Sequence, residues 1–487
     1  MRLKKIIENL NIKKMYNFKN FNIKSITHVS NDVIVDSMFL CIKGNNFDGN
    51  SFIDEAIKNG AKCIVTDCGT LSHNNVCIIV VDDVRKAMSI IAKNFYNRCI
   101  DSMRVVGVVG TSGKTTTTLM IAQLLINNGK KIGVIGTNGI YIDNIRQENL
   151  FTTPDPLELH YIFYQMKMLG VDIVVMEVSA QAIFYNKVYG VYFDVCVFTN
   201  ISEEHLDFFG SFENYAKVKM DFFNKKNMKE CVVNIDDFYG RELAYKLDFP
   251  RVSYGINEPS NVFAIDVEFD LTETRFVANI LDDVVNVKMP FVGLYNVYNM
   301  LASLTVVRFL GLSKSEIEYS LSELKEIDGR FNVYEYRGKK IIIDFAHTPD
   351  SVEKLLTHIR NYSSSNIISL FGCVGYSDKE KRIKMGEVVS KYSDQIILTT
   401  DNRGNTPFED ICRDVLIGIG DNQYICIEDR CKAIEHGVKL LNNNDILVLI
   451  GKGAEDFQKI NDQRVPYSDK DSLMKILKGI DDEGRVD

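Results

Sequence analysis

Between residues 103 and 236 five short, almost continuously apolar runs recur: VVGVVG, KIGVIGT, VDIVVMEVS, DVCVFTN and CVVNID. Runs without polar–apolar alternation are those of strands buried on both faces, and helical patterns separate several of them. A parallel sheet covered on both sides is therefore expected here. The stretch 263–292 alternates more and reads as an antiparallel insert, while GLYNVYNMLASLTVVRFL reads as a helix closing the section.

The same alternation occurs on either side. Over residues 1–100, SMFLCIKG, SFIDEAIKNG, AKCIVTD and VCIIVVDD form a small α/β pattern, with Gly44 and Asp48-Gly49 as turn residues. DDVRKAMSIIAKNFYN then reads as a helix leading to the next strand. After Gly329, KKIIIDFAH, NIISLFG, QIILTTD, YICIED and DILVLIGKG repeat the pattern in a Rossmann-like arrangement. At 487 residues the chain is too long for one core. The expected class is α/β in three tandem domains: residues 1–101, a central P-loop ATPase-like parallel sheet over 102–327, and a Rossmann-like domain over 328–487.

Charge and cysteine usage narrow the function classes. A net charge of −8 gives no general attraction to nucleic acid or an anionic membrane, so phosphate binding must be local. No apolar run is long enough for a membrane span, and MRLKKIIENLNIKK lacks the apolar core of a signal peptide. Eleven cysteines without CxxC pairs fit reduced thiols in a cytoplasmic protein.

The first strand of the central section runs into Gly110-Thr111-Ser112-Gly113-Lys114-Thr115-Thr116 and then a helical pattern. A Gly-rich turn there points backbone N–H groups at a phosphate, with the helix dipole behind them. Lys114 can reach the β- and γ-phosphates and the Thr115 hydroxyl can hold Mg²⁺. The usual Gly five residues before Gly113 is Val108, so the loop is a short form. Glu177 ends another strand at the same carboxyl edge, where a carboxylate can complete an Mg²⁺ site. FTNISEEHLDFFGSFENYAKVKMDFF is expected to carry His205, Asp207, Lys217 and Lys219 on that sheet edge. At the start of the third section, Arg330 of DGRF can swing onto a transferring phosphoryl group, with Asp344 and His347 at a strand end.

In this order and spacing, GTSGKTT, TTPD, EVSAQA, TNISEEHLD, YAKVK, GLYNVYN, DGRF and DFAHTPDS resemble the Mur ligase family, nearest its E-type, tripeptide-forming branch. The resemblance covers nearly the whole chain and implies a UDP-substrate-binding first domain, an ATP-binding centre and an amino-acid-binding third domain. It implies ATP-driven amide formation: the γ-phosphate activates a carboxylate of UDP-MurNAc-L-Ala-D-Glu as an acyl phosphate, which an amino acid then attacks. Positioning and charge neutralisation would carry the catalysis.

Carried over residue by residue, Gly110, Thr111, Ser112, Gly113, Lys114, Thr115 and Thr116 would hold ATP, with Asn296 and Asn299 near the adenine and Arg330 facing the phosphates. Thr115, Glu177 and His205 would hold Mg²⁺. Lys219, carbamylated to N6-carboxylysine, would support a second metal. Lys114, Lys219, Arg330, Asp344 and His347 form the implied catalytic set. Ser30 would meet the uridine end, and Thr152, Thr153, Ser179 and Lys187 the muramoyl-peptide. Arg382, Asp401, Asn402, Arg403, Gly451 and Glu455 would face the amino acid, meso-diaminopimelate or lysine. The implied enzyme is a cytoplasmic monomer with no nucleic-acid partner and no membrane insertion.

The chain departs from the family pattern at its substrate pockets. VSN stands for DSR, EVSAQ for EVSSH and GCVGYSDKEKR for GCGGDRDKGKR, with Lys381 and Arg382 kept. Lys187 replaces an Arg and cannot offer its bidentate fork. DNRG replaces DNPR, and GKGAE replaces GKGHE. These changes leave two alternatives: a paralogue joining a different carboxylate and amine, or a non-catalytic nucleotide-binding partner.

Overall fold

The computed structural model describes residues 1–44, 47–69, 75–142, 145–147, 151–204, 206–375, 379–461 and 463–483. The chain divides into two compact units interleaved in sequence. One is Met1–Gly110, Leu125–Asn200 and Glu213–Ser253; the other is Thr111–Leu124, Ile201–Phe212 and Tyr254–Asp487.

The first unit holds two sheets. The N-terminal sheet has the order Ile12–Tyr16, Cys77–Val81, Ala61–Thr66, Ser37–Leu40, Ser25–Thr27. All pairs are parallel except that of Ile12–Tyr16. That edge strand escapes a sequence reading because none of its residues is fully buried, so its pattern carries no period. Against the sheet lies the helix Val84–Phe95, whose buried Val84, Ala87, Met88, Ile91 and Ala92 recur at three- and four-residue spacing. Asp83 caps it, accepting the N–H groups of Arg85 and Lys86.

The five apolar runs form the expected parallel array, in the order Met228–Asn234, Phe193–Phe198, Arg104–Val109, Ile173–Glu177, Ile132–Gly136. Two antiparallel strands, Gly139–Ile142 and Ile145–Gln147, extend it. One expectation is corrected. Lys217 and Lys219 lie not on a sheet edge but on the helix Phe212–Phe222, whose rotation leaves Lys217 exposed and buries Lys219. Two residues are 200° apart on a helix, which sends them to opposite faces. His205 and the Asp207 side chain lie outside the described residues.

His160, on the helix Pro156–Met168, is fully buried edge-on to Phe163, and its Nε2 has no hydrogen-bond partner. Burial, with Lys93 nearby and only Asp101 opposing, lowers its pKa from 6.5 to about 3. The folded state therefore binds fewer protons than the unfolded chain between those values. This contribution is intact above pH 6.5 and is lost as pH falls towards 3. At pH 5 the loss is about 2 kcal/mol. In urea titrations His160→Phe should flatten that part of the stability profile; an unchanged slope would count against the assignment.

In the second unit the alternating stretch is the expected antiparallel meander, Val262–Phe269, Thr274–Ile280 and Asp283–Met289. The helix Leu294–Phe309 follows, apolar nearly all round and buried along most of its length. The third section folds as a sheet in the order Asn332–Tyr336, Lys339–Asp344, Ile446–Ile450, Ile367–Phe371, Gln395–Leu398, Tyr424–Cys426. It is parallel from Lys339–Asp344 onward, with one antiparallel edge. Hydrophobic clusters lie on both faces, one around Leu355, Ile359 and Val415, the other around Ile434, Leu447 and Leu473. The carboxyl ends of these strands carry Asp344, the Asp401 loop and the Gly451 loop, at the edge where open α/β sheets bind ligands.

Candidate functional site

In the first unit, three strand ends meet at the carboxyl edge of the parallel sheet. Glu177 ends Ile173–Glu177 in register with Val108 and is 1% exposed. Its Oε1 accepts the Thr137 N–H at 2.8 Å and its Oε2 the Thr137 hydroxyl at 3.2 Å. Thr152 pairs with the Thr137 hydroxyl at 3.0 Å. The Thr153 hydroxyl donates to the Glu177 carbonyl at 2.9 Å and accepts the Ser179 N–H at 3.2 Å, while the Ser179 side chain caps the helix Ala180–Phe184. Lys187 donates to the Thr153 carbonyl at 3.2 Å, pairs with Asp155 at 3.0 Å and lies 4.4 Å from the centre of the Phe151 ring. Thr152, Thr153, Glu177, Ser179 and Lys187 are thus brought together by sheet register and one connecting loop. Ser30 lies in a 3₁₀ turn beside the N-terminal sheet, where its carbonyl accepts from Asn59.

Lys219 is 1% exposed, with Nζ 2.5 Å from the Tyr215 hydroxyl and 4.2 Å from that ring's centre.

Gly110 follows the strand Arg104–Val109, and a Cβ on it would overlap the Thr199 hydroxyl. Thr199 is 2% exposed and its N–H is bonded to the Val109 carbonyl, so it cannot retreat. Gly110→Ala should cost about 1–3 kcal/mol through overpacking and distort the loop. Thermal denaturation and nucleotide titration should both register the loss, and Thr199→Ala in the same chain should recover part of it.

In the second unit, the Thr111 hydroxyl accepts the Ser202 N–H at 3.1 Å and donates to the Ser202 carbonyl at 3.3 Å. Lys114 begins the helix Lys114–Asn127 and folds back to the Thr111 carbonyl at 2.7 Å. Thr115 and Thr116 are 7% and 6% exposed, and Ser112 is half-buried. Gly113 has φ +84°, and a Cβ there would stand 2.5 Å from Asn299 Oδ1. Asn299 also accepts from Thr117 at 3.2 Å and donates to Asn296 at 3.1 Å, and Asn296 donates to the Val292 carbonyl at 2.8 Å. Both asparagines are buried; Asn299 backs the loop at Gly113 and Asn296 holds Asn299, an arrangement the sequence did not suggest.

Arg330 sits beside the Phe345 ring, 4.5 Å from its centre. Asp344 Oδ2 accepts the Phe331 N–H at 2.8 Å and Oδ1 the Ala346 N–H at 2.7 Å. Burial pushes the Asp344 carboxyl above the ordinary carboxylate range, against the opposing pull of Arg330 and these two donors. The carboxylate thereby holds the backbone that aims Arg330. His347 Nδ1 lies 3.1 Å from the Phe345 carbonyl and Nε2 3.7 Å from Glu204.

At the other strand ends, Arg382 is 7% exposed and bonds Asp414 at 2.9 Å and the Gly375 carbonyl at 2.6 Å. Arg403 donates to the Thr406 carbonyl at 3.3 Å and lies 3.7 Å from Glu428. Asp401, Asn402, Gly451 and Glu455 cluster around a residue the sequence reading passed over, Lys452, which is wholly buried. Thr137 and Asp155 were also missed. Thr137 ends the run KIGVIGT and Asp155 ends TTPD, but their partners lie 40 and 32 residues away.

The residues fit the groups the motifs imply. A hard cation needs only one or two carboxylates together with phosphate oxygens, and Glu177 is an acceptor set rigidly at the sheet edge. No group of three or more His, Cys, Asp or Glu side chains arranged as a metal site occurs among the described residues. At Gly110 and Gly113 a side chain would meet Thr199 or Asn299, so the turn admits only glycine at both positions, as a phosphate-binding turn at a helix start does.

Residues 22–96 match the Mur ligase family catalytic domain, residues 108–307 the Mur ligase middle domain and residues 329–453 the Mur ligase glutamate ligase domain. The chain is 35% identical over 481 residues to UDP-N-acetylmuramoyl-L-alanyl-D-glutamate–2,6-diaminopimelate ligase 1 of Clostridium acetobutylicum, covering 98% of this chain and 99% of the relative. It is 36% identical over 461 residues to the ligase of the same name from Caldanaerobacter subterraneus subsp. tengcongensis, covering 94% and 95%. A solved UDP-N-acetylmuramoyl-L-alanyl-D-glutamate–2,6-diaminopimelate ligase shares the fold, with a TM-score of 0.70 at 24% identity over 98% of this chain and 99% of that one. With these matches running along almost its full length, the chain belongs to the Mur ligase family.

Proposed function

We propose that this protein is an ATP-dependent ligase that joins 2,6-diaminopimelate to UDP-MurNAc-L-Ala-D-Glu in peptidoglycan precursor synthesis. The observation that carries the reading is the near full-length identity with relatives named for that reaction. On this reading Gly110, Thr111, Ser112, Gly113, Lys114, Thr115 and Thr116 hold the nucleotide, and Thr115, Glu177 and His205 a magnesium ion. ATP supplies the phosphoryl group that turns a carboxylate into an acyl phosphate. Lys114 and Arg330 neutralise the charge that grows on that group, and Asp344 keeps Arg330 aimed through the Phe331 backbone. Thr152, Thr153, Ser179 and Lys187 orient the peptide carboxylate, and Asp401, Asn402, Arg403, Gly451 and Glu455 the incoming amine. The domain limits at 101/102 and 327/328, a monomeric state and a cytoplasmic location belong to the same proposal. Among the described residues no helix is long and apolar enough to cross a membrane.

Lysine, which lacks the far-end carboxylate of diaminopimelate, is the second reading, because Arg403, the cation placed to meet that carboxylate, is engaged with Thr406 and Glu428. Phosphate release from ATP and Mg²⁺ with UDP-MurNAc-L-Ala-D-Glu across a panel of amino acids tests both. Turnover with diaminopimelate supports the first, turnover with lysine alone the second, and silence across the panel overturns them together.

A carbamate on Lys219 would place a negative charge where the sequence has a buried amine, able to support a second metal. Lys219→Ala should lose about 10²-fold or more in turnover, as for a lost electrostatic group. Added acetate or formate should restore part of it, and absence of any rescue would count against the carbamate.

A further inference from the structure

The loop after the strand Ile446–Ile450 carries a cation with no route to solvent. Lys452 is 0% exposed, and its Nζ donates to Glu455 Oε2 at 2.5 Å and to Asn402 Oδ1 at 3.1 Å, with Asp401 Oδ1 at 3.5 Å. Asn402 closes the ring by donating from Nδ2 to the same Glu455 Oε2 at 3.0 Å, while its Oδ1 also accepts the Lys459 N–H at 2.9 Å. Both bonds to Glu455 fall on one oxygen, Oε2, so Oε1 takes no part in this ring, and the side chain keeps 23% exposure.

An ammonium is costly to bury, and it is retained only where its partners repay the desolvation. Here one cation faces two carboxylates, so the cluster keeps a net negative charge while the orientation of Glu455 is set from below. The neighbouring backbone reinforces this. Gly453 and Ala454 pack so closely on Gly329 that no side chain would fit there, and Gly329 directly precedes Arg330. The loop that carries Glu455 and the turn that carries Arg330 are thus seated on each other within this unit.

We propose that Lys452 is a positioning residue for the incoming amino acid. It holds Glu455 and Asn402 in the geometry that receives a ligand ammonium, without touching the ligand itself. The inference rests on the functional reading above and deepens it, assigning part of the amine-side specificity to the buried Lys452 that gathers the motif residues Asp401, Asn402 and Glu455.

The test measures phosphate release with saturating ATP and UDP-MurNAc-dipeptide while the amino acid is varied. Lys452→Met should raise the amino-acid KM about 10- to 100-fold, the worth of a hydrogen bond to a charged group. The KM values for ATP and the UDP-substrate should stay within about twofold of wild type, a split that a general loss of structure would not produce. Lys452→Arg should recover part of the affinity. A folded Lys452→Met with wild-type amino-acid KM overturns the inference, and so does an equal rise in all three KM values. If Lys452→Met does not fold, Lys452→Met/Glu455→Gln is compared with Glu455→Gln. Matching KM values support action through Glu455, whereas a further tenfold rise means that the ammonium binds the amino acid directly and overturns positioning. A wild type that turns over no amino acid overturns the functional reading first, and this inference with it.

Discussion

Lys114→Ala should lower amino-acid-dependent phosphate release on the order of 10³-fold, equivalent to about 4 kcal/mol of transition-state stabilisation. The melting temperature should move by no more than about 2 °C, since the residue is only half-buried and packs little apolar surface. Lys114 is the first residue of its helix, where the backbone N–H groups and dipole already favour an anion. Its Nζ, 2.7 Å from the Thr111 carbonyl, is held across the mouth of the loop. A compact ammonium there neutralises charge as a point source, so Lys114→Arg, with a bulkier planar head, should recover little of the rate. The assay should be paired with nucleotide titration. A variant that binds ATP normally and still turns over at more than a tenth of the wild-type rate would remove Lys114 from the catalytic set.

The second large effect concerns stability. Arg430 and Asp469 are both completely buried and meet through two parallel bonds, Nε to Oδ1 at 2.8 Å and Nη2 to Oδ2 at 2.7 Å. Nη2 also donates to the Ile450 carbonyl at 3.0 Å, and the Tyr467 hydroxyl to Asp469 at 2.7 Å. Burial alone would lower the Arg430 pKa, but Asp469 outweighs it and holds the guanidinium above its ordinary range. Asp469→Ala leaves that charge without a partner and should destabilise the unit by about 3–5 kcal/mol. Arg430→Met/Asp469→Leu, which removes both charges, should recover most of the loss. Urea denaturation of the three proteins decides the matter; equal losses in the single and double variants would mean that packing, not charge, holds the junction. Arg430 also reaches the strand end next to Gly451, so Asp469→Ala should loosen the amino-acid loop before the rest of the unit.

Much of the fold was legible because its determinants are local. Strands buried on both faces read as apolar runs, and the amphipathic helix Val84–Phe95 shows its period directly. The edge strands Ile12–Tyr16 and Ile145–Gln147 were not legible, since their pairing depends on what lies beside them and their residues are mostly exposed. Lys219 illustrates the divide within the site. Its spacing from Tyr215 was visible in YAKVK, but its burial, against an exposed Lys217, depends on which helix face meets the core.

By itself the sequence determined the α/β alternation, the Gly-rich loop with Lys114 and Thr115, and the order of the motifs that mark a Mur ligase. All of these are written in contiguous residues, where backbone propensity and hydrophobic period act. Only the tertiary structure decided that Asn299, held by Asn296, backs that loop, that Asp344 holds the backbone next to Arg330, and that a buried Lys452 gathers Asp401, Asn402 and Glu455. The physical reason is that a buried polar group takes whichever partner the packing brings within hydrogen-bond reach. Those partners lie up to 182 residues away in the chain, beyond what any local pattern encodes.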